Sequence, residues 1–159
     1  MASSLRFPVL WVALTSISVL SSKAQWVPTN GPPGGAFVIS LAASDSLLFL
    51  GTNSSELYRS TDNGNNWRKI NFGVTFYRAE AIATLGSDVF IGDIGGVLRS
   101  TDRGEHWTRI EFGDVQGFGF LGSTIFAGTF IKGVFRSDDN GTTWVASNTG
   151  LPQQITPPT

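Results

Sequence analysis

The chain has 159 residues, 11 Lys and Arg against 12 Asp and Glu, 19 glycines and no cysteine. That length suits one domain of roughly 100–200 residues, and an apolar content of 41% excludes a disordered chain. A net charge of −1 supplies no basic field for general nucleic-acid binding, and without cysteine there is no disulfide, thiolate metal site or thiol nucleophile.

Residues 1–5 are short and polar, Arg6 is positive, and residues 7–20 carry no charge. Ser22 and Ala24 then put small residues three and one positions before Gln25. This layout predicts a secretory signal peptide over residues 1–24, cleaved after Ala24. The product is then secreted, periplasmic or extracellular. The uncharged run falls short of the roughly 20 residues of a membrane span, and Pro8, Thr15, Ser16 and Ser18 weaken it further. No membrane span is expected after cleavage. A cysteine-free exported chain fits a bacterial source better than a small disulfide-stapled animal domain.

The remaining domain, residues 25–159, reads as a repeat. Trp26-Val27 and Asn30-Gly31 echo Trp144-Val145 and Asn148-Thr149-Gly150, so the domain opens on a lone fourth strand. Three units of four short strands follow, over about 34–72, 74–112 and 115–150. In the first unit the predicted strands are 36–43, 47–52, 56–60 and 66–70. In the second they are 77–85, 88–93, 96–100 and 106–110, and in the third 116–121, 124–129, 133–137 and 143–147. Asp45-Ser46, Gly86-Ser87 and Gly122-Ser123 supply the turns between first and second strands. Residues 151–159 start a truncated further unit or form a tail. No stretch after residue 24 has helical spacing.

Each unit carries Arg-Ser-x-Asp-x-Gly-x-x-Trp. The copies are Arg59, Ser60, Asp62, Gly64 and Trp67, then Arg99, Ser100, Asp102, Gly104 and Trp107, then Arg136, Ser137, Asp139, Gly141 and Trp144. The serines lie 40 and 37 residues apart. Phe49-x-Gly51, Phe90-x-Gly92 and Phe126-x-Gly128 precede them at 11, 10 and 11 residues, Phe to Ser. A period near 40 residues is the size of a propeller blade. In the turn, the Asp accepts hydrogen bonds from nearby backbone N–H groups. The Gly takes the positive φ the turn demands. The Trp folds over the hairpin and buries about 200 Å².

Ser-x-Asp-x-Gly-x-x-Trp resembles the Asp box of the bacterial neuraminidase repeat, found in WD40/YVTN/BNR-like propellers. These include sialidases, sortilin ectodomains, xyloglucanases and the photosystem II assembly factor. The resemblance spans roughly residues 26–151. It implies an all-β, partial β-propeller of three four-stranded antiparallel blades, with the Asp boxes on the rim, away from any central site. Three blades leave two open edges, so the chain is either a fragment of a longer propeller or self-associates.

Strict repetition marks the twelve Ser, Asp, Gly and Trp positions above as structural, since one active site needs one copy. Arg59, Arg99 and Arg136 repeat too, and are expected to lie over the sheet or pair with turn carboxylates. The other mature arginines are Arg68, Arg78, Arg103 and Arg109, and only Arg78 falls on a predicted first strand. The arginine triad of a sialidase is therefore missing. The residues that break the repeat are Glu80 and Asp93, with Tyr77 and Arg78 alongside. Glu80 and Asp93 are the candidate carboxylates for glycoside hydrolysis, and Tyr77 and Arg78 the candidate binding residues. The alternative is simple divergence at a channel-facing or solvated position. His106 stands alone at a variable turn position and cannot make a zinc site. Asp138-Asp139-Asn140-Gly141 lacks the downstream Glu of a calcium loop. No metal or cofactor is expected. These readings favour a non-catalytic secreted repeat protein with a binding or scaffold role toward a glycan or protein ligand. The alternatives are part of a sialidase-like or other glycan-hydrolase propeller, or a photosystem II assembly-factor-like protein.

Overall fold

The structure, a computed structural model, describes Gly31 and residues 37–152. The expected leader and its cleavage site, the Trp26 strand, residues 32–36 and the tail beyond Pro152 lie outside the described residues.

Twelve strands run in chain order: β1 (Val38–Ser44), β2 (Leu47–Thr52), β3 (Leu57–Ser60), β4 (Arg68–Lys69), β5 (Ala81–Leu85), β6 (Asp88–Asp93), β7 (Gly96–Ser100), β8 (Thr108–Glu111), β9 (Val115–Leu121), β10 (Thr124–Thr129), β11 (Val134–Ser137) and β12 (Val145–Ala146). They form three antiparallel four-stranded meanders, β1–β4, β5–β8 and β9–β12. There is no helix among the described residues, and so none long and apolar enough to cross a membrane. The expected all-β architecture of three four-stranded blades is what the described residues adopt.

The two-residue turns open on a left-handed residue, with Asp45 at φ 52°, Gly86 at 59° and Gly122 at 59°. This is the backbone twist that tight hairpins require. Most strand boundaries fall within two residues of the sequence expectation, and two differences bear on the candidate residues. The first strand of the second blade begins at Ala81 rather than residue 77, so Tyr77, Arg78 and Glu80 precede the strand. The fourth strands are also shorter, and start after the Trp instead of before it.

The blades pack face to face. Between the first and second lie Leu47, Phe49, Leu57, Ile70, Ala79, Val89, Ile91, Leu98 and Trp107. Between the second and third lie Phe90, Val97, Val115, Ile125 and Ala127, with Trp144 and Phe112 at the border. The repeat motif builds both seams in the same way. Phe49 of β2 lies against Gly104 in the second blade, where an added Cβ would come within 2.7 Å of the ring. Phe90 lies against Gly141 of the third blade, at 2.5 Å on the same measure. Gly51 admits Ala79, and Gly92 admits Val115, each at 2.6 Å from a would-be Cβ. The repeated glycines are thus packing holes as well as turn residues.

The repeated arginines tie the same seams. Arg59 donates from Nη1 to the Arg103 carbonyl at 2.8 Å and pairs with Glu105, both in the turn of the next blade. Arg99 donates to Thr142 Oγ1 of the next blade at 3.2 Å and to Asp88 at 2.9 Å. Asn140 of the third blade reaches the same Asp88 carboxylate at 2.6 Å. Arg136 turns back onto Asp138 of its own blade instead.

Gly104 carries two demands at once, a φ of +85° and contact with Phe49. Gly104→Ala is expected to lower stability by about 2–3 kcal/mol, from left-handed strain and overpacking together. Urea denaturation checks this, and an unchanged midpoint would refute the double constraint.

Candidate functional site

The two ends of the blades differ in chemistry. One end carries the Ser-x-Asp-x-Gly-x-x-Trp turns. There Ser60, Ser100 and Ser137 each accept the N–H of the turn glycine, at 2.9, 2.8 and 2.8 Å. Each also donates its hydroxyl to the turn Asp at 2.8 Å. Asp62, Asp102 and Asp139 then accept the backbone N–H four residues on, from Asn66 at 2.8, His106 at 2.9 and Thr143 at 2.8 Å. The second carboxylate oxygen takes that same residue's side chain. Gly64, Gly104 and Gly141 sit at φ 85°, 85° and 80°. Every carboxylate is spent on its own loop. The serine is the linking group, a role the sequence analysis left unassigned although its repetition marked it.

Trp107 and Trp144 close their turns through Nε1–H to the carbonyls of Gly104 and Gly141, both at 3.2 Å. They also reach the preceding blade, with Phe72–Trp107 centroids 5.2 Å apart and Phe112–Trp144 centroids 5.4 Å apart. The tryptophans therefore fill seams, which goes beyond covering their own hairpins. His106 is exposed, yet its Nδ1 lies 2.6 Å from Asp102 Oδ2. It belongs to the turn.

Removing the linking hydroxyl in Ser100→Ala leaves the buried Gly104 N–H without its acceptor. The expected loss is about 1–2 kcal/mol, read as a lowered melting temperature. The hydrogen-bonded carboxylates also set a pH dependence. The Thr143 hydroxyl, then backbone N–H groups and Ser137, draw the Asp139 pKa from 3.8 down to about 2. Asp102 is held well below its usual range by the His106 backbone N–H and side chain, and Asp62 is lowered chiefly by the Asn66 side chain. A depressed carboxylate stabilises the fold above its unfolded pKa and loses that contribution as pH falls through the folded one. The melting temperature is thus expected to be level above about 4.5, below which the lowered Glu56 and Glu105 also begin to lose their contribution, and to drop as pH falls toward about 2. A level profile across that window would contradict the turn assignment.

The other end holds the non-repeating residues. Asp93, at the end of β6, is fully buried. Its Oδ1 accepts the N–H groups of Gly95 at 2.9 Å and Gly96 at 3.1 Å. Arg109 of β8 clamps it from Nη2 to Oδ1 at 2.8 Å and from Nη1 to Oδ2 at 3.0 Å. Tyr77 donates its backbone N–H to Oδ2 at 3.4 Å. Arg109 further donates to the Thr75 carbonyl at 2.8 Å, and its guanidinium lies 5.4 Å from the Tyr77 ring centroid. Burial pulls the Arg109 pKa down, but hydrogen bonds and charge from Asp93 outweigh it and the net shift is upward. Gly95 makes this possible, because a Cβ there would lie 1.8 Å from Arg109 Nη2. Glu80 is engaged by Arg78, from Nε at 2.8 Å.

The structure therefore joins Tyr77 and Asp93 through Arg109, while Arg78 and Glu80 form a separate pair. Both candidate carboxylates are ion-paired, and Asp93 holds a turn together. Thr52 and Thr129 hold the matching loops of the other blades, where Thr52 Oγ1 accepts from Glu56 N at 3.3 Å and Thr129 Oγ1 from Lys132 N at 2.9 Å. Asp93 is the charged version of that cap. Among the described residues no group of three acidic, histidine or cysteine side chains is placed to hold a metal.

The same end exposes large apolar side chains on its loops: Phe37 before β1, Val74 and Tyr77 before β5, Ile94 between β6 and β7, and Phe130 and Ile131 between β10 and β11. The sequence analysis missed all of these except Tyr77. Their signal was an apolar residue at a loop position where a turn calls for a polar one.

No protein-family model matches the chain, and no curated protein matches it. Solved structures do resemble it. YCF48 bound to D1 peptide superposes with a TM-score of 0.60 at 21% identity, covering 71% of this chain and 41% of that one. The GH74 xyloglucanase from Xanthomonas campestris gives 0.56 at 17% identity, over 73% of this chain and 24% of that one. The computationally designed Ika4 protein gives 0.62 at 12% identity, over 78% of each chain. The chain spans less than half the length of the YCF48 and xyloglucanase structures. At these identities the likeness is one of fold: the described residues form three consecutive blades of a β-propeller.

Proposed function

We propose that this chain is a non-catalytic β-propeller module that binds a polypeptide partner at the loop end of its blades. The observation that carries the reading is the row of exposed apolar side chains there, Tyr77, Ile94, Phe130 and Ile131 among them. The opposite end is occupied by polar turns such as Asn63, Asn65, Arg103, Glu105 and Asn140. Exposed apolar patches on one face of a soluble fold mark interaction sites. A propeller of similar fold has been solved with a D1 peptide bound, which supports a polypeptide over a glycan as the ligand class. The engagement of Asp93 by Arg109 and of Glu80 by Arg78 counts against the glycan-hydrolase alternative. Export through a cleaved leader remains part of this proposal, and it places the partner outside the cytoplasm.

The test is binding of the full chain to an immobilised array of short peptides. Peptides with apolar and aromatic side chains should be retained, and Phe130→Ser with Ile131→Ser should abolish retention without changing the melting temperature. Fluorogenic sialosides and xyloglucan oligosaccharides should not turn over. Absence of any peptide binding, or turnover that disappears in Glu80→Gln, would overturn the proposal.

A further inference from the structure

At the end that carries the Asp turns, the seam between the second and third blades is closed by polar contacts and the seam between the first and second is not. The closing group is Asp88, the first residue of β6 and 6% exposed. Its carboxylate accepts Arg99 Nη2 at 2.9 Å from its own blade and Asn140 Nδ2 at 2.6 Å from the next. In the first blade the same strand position is Leu47, opposite Ser44 as Asp88 is opposite Leu85. Leucine accepts no hydrogen bond, so Arg59 turns outward to Glu105, which Arg68 also reaches at 3.3 Å.

Arg103 stands where Asn140 stands in the closed seam, each just before its turn glycine, at φ 62° and 58°. The Arg103 backbone is pinned on both sides. Its carbonyl accepts Arg59 Nη1 at 2.8 Å, and its N–H donates to the Ser87 carbonyl at 3.2 Å. Its exposed guanidinium makes no hydrogen bond or ion pair among the described residues.

The open seam holds a groove of about 360 Å³, continued toward the Asp45 turn by a lobe of about 180 Å³. The two parts share Leu47 and Arg103. Ser46 and Thr61 line the larger part, and Asp45 and Ser87 line the lobe. Sites for apolar ligands are lined chiefly by hydrophobic and aromatic side chains. Here Leu47 is the one apolar side chain in the lining, and it is 5% exposed. An arginine only donates, a carboxylate only accepts, and hydroxyls do both. Arg103 and Asp45 set opposite charges in the same lobe, which suits an uncharged ligand that donates and accepts at every unit.

We propose that this groove binds a neutral oligosaccharide. Arg103 donates to sugar hydroxyl oxygens, Asp45 accepts from sugar hydroxyls, and Ser46 and Thr61 bond along the larger part. The groove lies at the opposite end from the exposed apolar loops, so it is a second site, independent of what those loops bind.

The test is retention of the full chain on an immobilised array of neutral oligosaccharides, uronate-bearing oligosaccharides and short peptides. At least one neutral oligosaccharide should be retained. Arg103→Asn installs the residue that Asn63 and Asn140 supply in the other two turns, and Asp45→Asn keeps a residue suited to a left-handed φ. Both variants should therefore keep the parent melting temperature. Each should weaken binding of the retained sugar about tenfold or more, the loss of one hydrogen bond to a charged group. Peptide retention should be unchanged in both, so failure here and failure of the loop-end reading are separate results. Retention of no neutral oligosaccharide, retention indifferent to both substitutions, or retention confined to uronate-bearing chains would each overturn the proposal.

Discussion

Trp107→Ala is expected to destabilise the protein by about 3–5 kcal/mol, the cost of emptying a buried site built around a large aromatic. Trp107 is 8% exposed and belongs to the seam between the first and second blades. Its ring meets Phe72 edge-on, and its Nε1–H closes its own turn on Gly104. Truncation therefore opens a cavity in the seam and loosens the turn. The three tryptophans should differ, although the motif makes them look equivalent. Trp144 is half-buried and keeps the Gly141 hydrogen bond, so Trp144→Ala should cost less. Trp67 is also half-buried, and its Nε1 has no hydrogen-bond partner among the described residues. Trp67→Ala should cost least. Chemical denaturation of the three variants checks the order, and equal losses would show that seam position does not set the cost.

The blade count, the second strands and the turns were legible in the sequence because the repeat writes each of them three times. Leu47–Thr52, Asp88–Asp93 and Thr124–Thr129 match the expected spans to the residue. The fourth strands were overextended for a physical reason. Asn66, His106 and Thr143 were assigned to strands, but their N–H groups go to Asp62, Asp102 and Asp139. The turn carboxylate takes the donor a ladder would have used. The early start of the second blade's first strand fails similarly, since the Tyr77 N–H turns to Asp93. The seams were not legible at all. That Gly51 and Gly92 are holes for Ala79 and Val115 depends on how far apart two blades pack. A linear pattern marks such glycines as repeated and says nothing of what fills them. Arg109 was missed because its partner lies 16 residues away. A cue existed in alignment: Lys69 and Arg109 share the fourth-strand position opposite Tyr58 and Leu98, and Lys69 also pairs with an acidic residue, Glu56, at 2.6 Å.

Asp93→Ala is expected to cost about 3–5 kcal/mol, because it strands a largely buried guanidinium. Asp93 is fully buried and the Arg109 side chain is 11% exposed. Removing the carboxylate also leaves the Gly95 and Gly96 N–H groups without their acceptor. A catalytic carboxylate would behave differently, since its removal would abolish turnover at little cost in stability. The third blade shows how the same position works without charge: Thr129 caps the loop and Ala146 takes the place of Arg109. Asp93→Thr alone should be destabilising, because the threonine caps the loop but leaves the largely buried Arg109 with only the exposed Glu111, at 3.4 Å, as an acidic partner. Arg109→Ala alone should be destabilising too, because it leaves the buried Asp93 without its cation. The double variant Asp93→Thr with Arg109→Ala installs the third blade's solution in the second, and should recover part of the loss. The expected coupling in a double-mutant cycle is about 1–3 kcal/mol, measured by denaturant unfolding of the four proteins. Strictly additive losses would mean that the pair is incidental and that Asp93 is held for some purpose other than closing its loop.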